Sequence, residues 1–254
     1  MSIKTATLNG VATIEIARPQ KKHALTAEMY SAMAAALRAA DGDAAVRAVL
    51  IVGQPGVFTS GNDIDDFMNR PPATTDAPVF DFMRALVACS KPVIAAVTGA
   101  AIGIGTTMLL HCDLVYVSDE ARLAMPSGSL GLVPEFASSL IVPALVGHVK
   151  AAEKLLLGDP FTAEEAVEMR IANAVLPAGE VVRHARRMAE RFNSLPPGAV
   201  RESKRLMRRA TVAAVLAGIE AEAVVFRDRL ARPEAAEAFS AFFQKRKPDF
   251  STFR

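Results

Sequence analysis

The chain has 254 residues, and 51% of them are hydrophobic, which is enough for a large buried core in one domain or in a core with an appendage. A formal net charge of +2 gives no overall electrostatic case for nucleic acid or acidic partners. The two cysteines, Cys89 and Cys112, cannot form a disulfide framework and favour a reducing, cytoplasmic compartment.

The first quarter of the chain predicts strands and one helix. Residues 5–16 predict two strands joined at Asn9-Gly10, a dipeptide typical of tight hairpins. Thr26 is suited to cap a helix of about four turns. A strand over residues 46–52 then leads into the glycine-bearing segment Phe58-Thr-Ser-Gly-Asn-Asp63.

The next elements lead to a second glycine-bearing segment. Residues 63–69 predict a helical turn, and the proline-rich residues 70–78 predict an exposed loop that shapes a neighbouring pocket. A helix over residues 79–89 and a strand over residues 92–97 follow. That strand runs into Gly99-Ala-Ala-Ile-Gly-Ile-Gly105.

Residues 93–110 carry no charge, so a membrane span has to be considered. Three glycines and three threonines interrupt this run. A buried strand, a glycine turn and a short buried helix ending near His111 account for it better. Residues 1–4 lack the apolar block of a signal peptide, and we expect no association with a membrane.

A further strand is predicted over residues 114–117, and beyond residue 137 almost everything is predicted to be helical. The predicted helices cover residues 137–146, 150–157, 162–169, 179–193, 197–210, 212–230 and 233–245. Strands that alternate with helices, followed by helices alone, predict an α/β core over residues 1–195 and a C-terminal helical region over residues 196–254.

The two glycine-bearing segments suggest chemistry as well as structure. Each follows an apolar strand-like stretch, and each has a glycine that lets the backbone turn tightly and approach a ligand. Two backbone N–H groups, one from each turn, are able to polarise a single carbonyl oxygen. Such an oxyanion hole is often the largest contribution to catalysis on acyl groups.

Several motifs occur in an order and spacing that is typical of one family. They are Arg18-Pro19 with His23-Ala-Leu25, Phe58 to Ile64, Lys91 to Gly103, Cys112-Asp113, Leu155 to Gly158 with Ala163 to Ala166, and Ala241 to Lys247. On these motifs the chain resembles the enoyl-CoA hydratase/isomerase (crotonase) family along essentially its whole length. The resemblance implies a β-β-α spiral core with C-terminal helices that assemble homotrimers, often paired into hexamers. It also implies a coenzyme A thioester as substrate, with no redox or metal cofactor.

The resemblance assigns roles residue by residue. The oxyanion-hole donors fall on the backbone N–H groups of Asn62 and Ile104. The other substrate-binding positions are Lys21, Lys22 and His23 near the nucleotide, Ser60, Gly61, Asp63 and Ile64 beside the pantetheine, Gly103 in the second turn, and Phe242 and Lys245, which reach the nucleotide of a neighbouring subunit. A lysine near the nucleotide has an electrostatic reason, because the phosphates are strongly anionic.

The chain departs from the family where hydratases carry two glutamates that activate one water. It has Thr107 and Ser127 at those positions, where they are expected to line the pocket or contact substrate, and a hydroxyl group cannot replace a carboxylate as base. Glu135, in Gly131-Leu-Val-Pro-Glu135, instead resembles the single base of Δ3,Δ2-enoyl-CoA isomerases. Its apolar neighbours are expected to raise its pKa toward working pH.

Other interpretations remain open at this point. Glu135 is also suited to stabilise the start of the helix predicted from residue 137, through the helix dipole. Hydratase-like or other enolate-forming chemistry is the alternative within the family. Asp63 is also explained as a charge at a helix start. The scattered histidines have no metal-ligand spacing, so no metal site is predicted.

Two alternatives come from other functional classes. A dinucleotide-binding oxidoreductase would explain a strand, a glycine turn, a helix and a second strand followed by Asp119, but Met108 stands where a third glycine belongs. A non-catalytic RNA-binding member of the fold would explain clustered cations on two predicted helices. These are Arg183, Arg186, Arg187, Arg191, Arg201, Lys204, Arg205, Arg208 and Arg209. Interspersed glutamates and the small net charge make a nucleic-acid partner the weaker interpretation.

Overall fold

The computed structural model describes residues 2–253 as an α/β protein with two sheets. The strands are β1 (Ile3–Leu8), β2 (Val11–Ile16), β3 (Ala48–Val52), β4 (Val57–Thr59), β5 (Val93–Val97), β6 (Ala100–Ile102), β7 (Leu114–Ser118), β8 (Arg122–Ala124), β9 (Phe161–Thr162) and β10 (Ala174–Leu176). The α-helices are α1 (Ala27–Gly42), α2 (Ile64–Asn69), α3 (Pro78–Ala88), α4 (Ile104–Thr107), α5 (Ser138–Val146), α6 (His148–Ala152), α7 (Ala163–Glu168), α8 (Val181–Glu190), α9 (Pro197–Arg208), α10 (Val212–Leu230) and α11 (Pro233–Gln244).

The larger sheet has six strands in the order β1-β2-β3-β5-β7-β10. Strands β1 and β2 form an antiparallel hairpin, and every later pairing in this sheet is parallel. All residues of β3 and β5 are buried. Continuous apolar strands are expected in a parallel sheet that is covered on both faces, which is why these two strands were readable from the sequence.

The smaller sheet has four strands in the order β4-β6-β8-β9. The chain passes from β3 to β4, from β5 to β6 and from β7 to β8, so each turn of the spiral contributes one strand to each sheet. The first glycine-bearing segment begins within β4 and continues past its end, and the second surrounds β6. Stacking of successive turns therefore brings these two segments side by side.

The hairpin and the strands near residues 46–52, 92–97 and 114–117 are confirmed. The backbone φ angles of Asn9 and Gly10 are 49° and 70°, as a type I′ turn requires. The prediction of helices alone beyond residue 137 is wrong, because β9 and β10 lie there. Strands of two or three residues are too short to produce a readable alternation of polar and apolar side chains.

The C-terminal helices pack onto the main core. Buried residues of α10, including Ile219 and Phe226, belong to the same apolar cluster as buried residues of α1 and α3. In α9, Lys204 is buried and its ammonium group donates to the carbonyl of Lys91 at 2.7 Å. Division into a core and an oligomerisation region stays a prediction, and Met1 and Arg254 at its outer ends lie outside the described residues.

The loop over residues 70–78 is held against α10. Arg227 donates through Nε to the carbonyl of Pro72 at 3.0 Å, and Arg84 donates to the carbonyl of Thr75 at 2.8 Å. Within residues 2–253, no helix is both long and apolar enough to cross a membrane.

Candidate active site

A cavity of about 600 Å³ opens beside the two glycine-bearing turns, a volume within the usual range for small-molecule sites. One part of its wall is polar, with Lys21, Lys22, Ser60, Asp63 and Ser127. Another part is aromatic, with Phe67, Phe226, Phe239, Phe242 and Phe243. A wall with a charged part and an aromatic part suits a ligand that has an anionic end and an apolar end.

The first turn is anchored to the loop that precedes α1. Leu25 donates its N–H to the carbonyl of Gly61 at 2.8 Å, and the N–H of Asp63 donates to the carbonyl of Leu25 at 2.9 Å. The N–H of Asn62, between these two anchors, has no acceptor within the described residues. The backbone donor of Asn62 is therefore available to a ligand.

The second turn begins helix α4. Gly103 donates its N–H to the carbonyl of Ala124 at 2.9 Å and accepts at its own carbonyl from Thr106 at 2.8 Å. Ile104 is the first residue of the helix, and its N–H has no acceptor in the described part of the chain. A Cβ added at Gly61 would lie 2.8 Å from the carbonyl oxygen of Ile102, so the two turns touch backbone to backbone.

Glu135 lies at the same place. Its side chain lines the cavity, the residue is only 6% exposed, and a Cβ added at Gly103 would lie 3.9 Å from its Oε1 atom. Burial raises the pKa of Glu135 to about 7, because the charged form loses its hydration. The Asn62 side chain opposes this rise and the negative charge of Glu222 adds to it.

Asn62 is itself oriented by Tyr30 of α1. The buried Tyr30 hydroxyl donates to Oδ1 of Asn62, which leaves the amide NH₂ group of Asn62 to face Glu135. Sequence reasoning missed Tyr30, because an aromatic residue on the apolar face of a helix is indistinguishable from ordinary core. Only the proximity created by the fold reveals its polar contact.

The buried carboxyl group predicts a pH-dependent stability that glutamine would abolish. In the unfolded chain the pKa of Glu135 is near its ordinary value of 4.5, whereas burial in the folded chain raises that pKa to about 7. As pH rises through this window the unfolded state loses its proton first, so the free energy of unfolding falls by on the order of 3 kcal/mol. We expect Glu135→Gln to escape this loss and to be more stable than wild type at about pH 8.

Chemical denaturation of both proteins at about pH 5 and about pH 8 measures this difference. The two proteins differ at one titrating group, so the change in their stability difference reports the titration of Glu135 together with its coupling to Glu222. An equal difference at both pH values would mean that the carboxyl group is not held protonated by the fold.

Most of the predicted binding residues lie on the cavity wall. This holds for Lys21, Lys22, Ser60, Gly61, Asn62, Asp63, Ile64, Gly103, Ser127, Glu135 and Phe242. Asp63 also pairs with Arg18, and its Oδ1 atom accepts from the N–H of Asp66 at 3.1 Å. Its interpretation as a helix-start charge is therefore confirmed alongside its place on the wall.

Several predicted residues are not on the wall. His23 is buried, and its Nδ1 atom accepts from the N–H of Arg18 at 2.9 Å. The side chains of Ile104 and Thr107 are buried, and Thr107 Oγ1 has no partner among residues 2–253. Lys245 is exposed beyond the cavity.

The C-terminal helix α11 contributes to the cavity wall. Phe242 lines the cavity of its own chain, and its predicted contact with the nucleotide of a neighbouring subunit stays a prediction. The aromatic wall formed with Phe239 and Phe243 was not predicted. Residues 69–78, expected to shape the pocket, do not line it, because contacts with Arg227 hold that loop against α10.

The alternatives from other classes fit poorly. Strand β5 belongs to the six-stranded sheet, whereas the short strand β6 that leads into the four-residue helix α4 belongs to the other sheet. Strand β5, the glycine turn and α4 therefore do not form the continuous strand–turn–helix unit of a dinucleotide site. Several clustered cations make internal contacts: Lys204 pairs with Asp113, and Arg208 donates to the carbonyl of Val87 at 3.1 Å. Within the described residues, no group of three or more His, Cys, Asp or Glu side chains is arranged to hold a metal ion.

Comparison with protein families and curated proteins gives consistent matches. Residues 6–252 match the model of the family described as enoyl-CoA hydratase/isomerase. The chain is 35% identical to enoyl-CoA delta isomerase 2 of Homo sapiens, over 79% of this chain and 52% of the human protein, so it spans about half of that relative. It is 30% identical to 2,3-dehydroadipyl-CoA hydratase of Escherichia coli, over 94% of each chain.

Solved structures match over nearly the whole chain. OdaA of Pseudomonas aeruginosa has a TM-score of 0.93 at 52% identity, covering 95% of this chain and 98% of its own. An enoyl-CoA hydratase/isomerase from Pseudoalteromonas atlantica has a TM-score of 0.93 at 40% identity, covering 99% and 100%. These matches confirm the predicted α/β spiral with C-terminal helices.

Proposed function

This chain belongs to the enoyl-CoA hydratase/isomerase family, and we propose that within it the protein is an isomerase that moves the double bond of a 3-enoyl-CoA thioester to the 2-position. One observation carries the proposal. Of the three carboxylates on the cavity wall, Asp63 pairs with Arg18 and Asp65 with Lys21, whereas Glu135 pairs with no cation within the described residues. A single free carboxyl group suits a proton shuttle better than the activation of water by two carboxylates.

In the proposed reaction the thioester oxygen accepts hydrogen bonds from the N–H groups of Asn62 and Ile104. The Glu135 carboxylate removes a proton from C2, and the electron pair moves toward the oxygen to give a dienolate, which the two N–H groups stabilise. The protonated Glu135 then returns the proton to C4. Atoms and electrons balance within the substrate, so the reaction needs no redox cofactor, and the two N–H groups take the place of a metal ion in stabilising the dienolate oxygen.

The pKa of Glu135 suits both halves of this shuttle. A group that must accept and then donate one proton works best when its pKa is near the pH of the medium. Burial brings the pKa of Glu135 to about 7, whereas an exposed carboxyl group would be too weak a base.

The polar wall supports a coenzyme A thioester as the substrate. Lys22 lies exposed on the wall and makes no ion pair in the described part of the chain, so its charge is available to phosphate groups. The aromatic wall would receive the acyl chain. A homotrimer or a dimer of trimers remains part of the proposal, and exposed apolar side chains on α10, such as Val224 and Val225, are compatible with such contacts.

Identification of the products formed from a panel of 2-enoyl and 3-enoyl thioesters of increasing chain length tests the proposal. We expect conversion of 3-enoyl to 2-enoyl thioesters and negligible hydration of crotonyl-CoA, because Thr107 and Ser127 offer no second carboxylate. Rapid hydration of crotonyl-CoA would favour the alternative, a hydratase-like activity, for which the named hydratase relative is the supporting observation.

A further inference from the structure

The segment that follows Glu135 has an unusual backbone. Phe136 and Ala137 have φ angles of 63° and 55°, and two successive non-glycine residues in the left-handed region are rare. Such strain persists only where the surrounding structure fixes it, and it is concentrated at functional sites. The two strained residues connect Glu135 to helix α5.

His111 holds this segment from one side. Its Nε2 atom lies 2.7 Å from the carbonyl oxygen of Phe136, and its ring stacks on the Phe136 ring at 4.0 Å between centroids. Burial lowers the pKa of His111 to about 3, so the ring is neutral at neutral pH. The carbonyl partner requires that Nε2 carry the proton and donate it.

Glu222 of α10 holds the segment from another side. Its carboxylate accepts from the N–H of Ala137 at 2.5 Å, from the N–H of Ser139 at 3.0 Å and from the Ser139 hydroxyl at 2.5 Å. Glu222 makes no ion pair among residues 2–253. All of its recorded partners therefore belong to the segment that carries Glu135.

Stabilisation of the N-terminus of α5 is the simpler explanation of Glu222. That explanation accounts for the bonds at the helix start, including the one from the N–H of the N-cap residue Ala137, but it leaves the left-handed backbone of Phe136 and Ala137 without a cause. It also does not account for the electrostatic influence of Glu222 on Glu135. Glu222 therefore contacts the backbone that follows Glu135 and also acts electrostatically on the Glu135 carboxyl group.

We propose that Glu222 is a positioning residue that, together with His111, locks the strained Phe136–Ala137 backbone and so holds the Glu135 carboxyl group toward the part of the cavity that adjoins the two free N–H groups, where the thioester would lie. The inference rests on the proposed function in that Glu135 is taken as the base. It assigns a functional task to helix α10 of the C-terminal region, which holds the segment that carries Glu135.

Polar and charged groups from several elements act on Glu135 and His111. Asn62 from the first turn, Tyr30 from α1 and Glu222 from α10 face Glu135, and Asp66 from α2 acts on Tyr30. Arg208 from α9 acts on His111. The negative charge of Glu222 raises the pKa of Glu135, so removal of that charge lowers it.

The experiment compares wild type with Glu222→Gln, which keeps the size but removes the charge, and Glu222→Asp, which keeps the charge but shortens the reach. Glu220→Gln is the matched control, because Glu220 lies on the same helix and pairs with Arg84 at 2.8 Å, outside the cavity wall. The pKa of Glu135 is measured without substrate, by carbon-13 NMR titration of labelled glutamate assigned with Glu135→Gln. Activity on a 3-enoyl-CoA and affinity for butyryl-CoA, a saturated thioester, are measured in parallel.

We expect Glu222→Gln to lower the pKa of Glu135 and to reduce kcat by about ten- to a hundredfold, with little change in KM or butyryl-CoA affinity. Glu222→Asp should reduce kcat with the pKa retained, and Glu220→Gln should change neither. A loss of kcat with an unchanged pKa of Glu135 in Glu222→Gln, or an unchanged kcat in both Glu222 variants, would overturn the inference. If Glu222→Gln does not fold, unchanged kcat in Glu222→Asp overturns it.

Failure of the proposed function has a different signature. If wild type converts no 3-enoyl-CoA, isomerase activity is rejected, yet the NMR titration still reports whether Glu222 controls Glu135. A lowered pKa in Glu222→Gln would then keep the coupling as a property of the site, and an unchanged pKa would remove both claims.

Discussion

Replacement of Glu135 by glutamine is expected to reduce kcat for isomerisation by about 10²- to 10⁴-fold, the range that a positioned acid or base contributes. Glutamine has nearly the same shape and keeps a hydrogen-bonding group, but it can neither accept the C2 proton nor deliver one to C4. The two free N–H groups of the turns are unchanged, so binding of the thioester should persist. Steady-state kinetics with a 3-enoyl-CoA and calorimetric titration with butyryl-CoA separate these effects.

Glu168→Gln is the matched control for this substitution. Glu168 is exposed at the end of α7 and does not line the cavity, so the same chemical change there should leave kcat and KM at wild-type values. Turnover by Glu135→Gln equal to that of the control would remove Glu135 from the mechanism. A loss of butyryl-CoA affinity equal to the loss of kcat would mean that Glu135 acts in binding.

The position of Glu135 illustrates what sequence can and cannot predict. Its residue type, its apolar neighbours and its place before a helix were readable, and together they predicted a raised pKa, in agreement with the buried carboxyl group. The contacts of Glu222 were not readable, because it lies 87 positions after Glu135 in the sequence and its exposed neighbours on α10 resemble any solvated helix face. Long-range polar contacts leave no periodic signal in one sequence.

The fold was predictable to a similar extent. Buried parallel strands such as β3 and β5 have continuous apolar sequences, and the dipeptide Asn9-Gly10 is typical of a tight hairpin turn because both residues tolerate positive φ angles. The smaller sheet was missed because β4, β6 and β8 have three residues each. These short strands nevertheless determine the site, since they bring the two glycine turns together.

Substitution of Gly61 by alanine is expected to have an effect on kcat of about 10²- to 10³-fold, comparable to the loss of one oxyanion-hole donor. Gly61 has a φ angle of +90°, and an added Cβ would lie 2.8 Å from the carbonyl oxygen of Ile102, a backbone atom that cannot rotate away. The two turns must therefore separate, and the N–H groups of Asn62 and Ile104 move apart. Kinetics at saturating 3-enoyl-CoA, together with thermal unfolding, measure the result.

Gly56→Ala is the control that separates the steric displacement of the two turns from the cost of a left-handed backbone at alanine. Gly56 has a similar φ angle of +87°, but an added Cβ would meet no atom within 4 Å. Both substitutions incur the cost of placing alanine in the left-handed region, about 1–2 kcal/mol, so both should lower thermal stability. Only Gly61→Ala forces the two turns apart, and only it should lose activity. Equal kcat values in the two variants would mean that catalysis does not depend on the close approach of these turns, and the oxyanion hole would have to be sought elsewhere in the cavity.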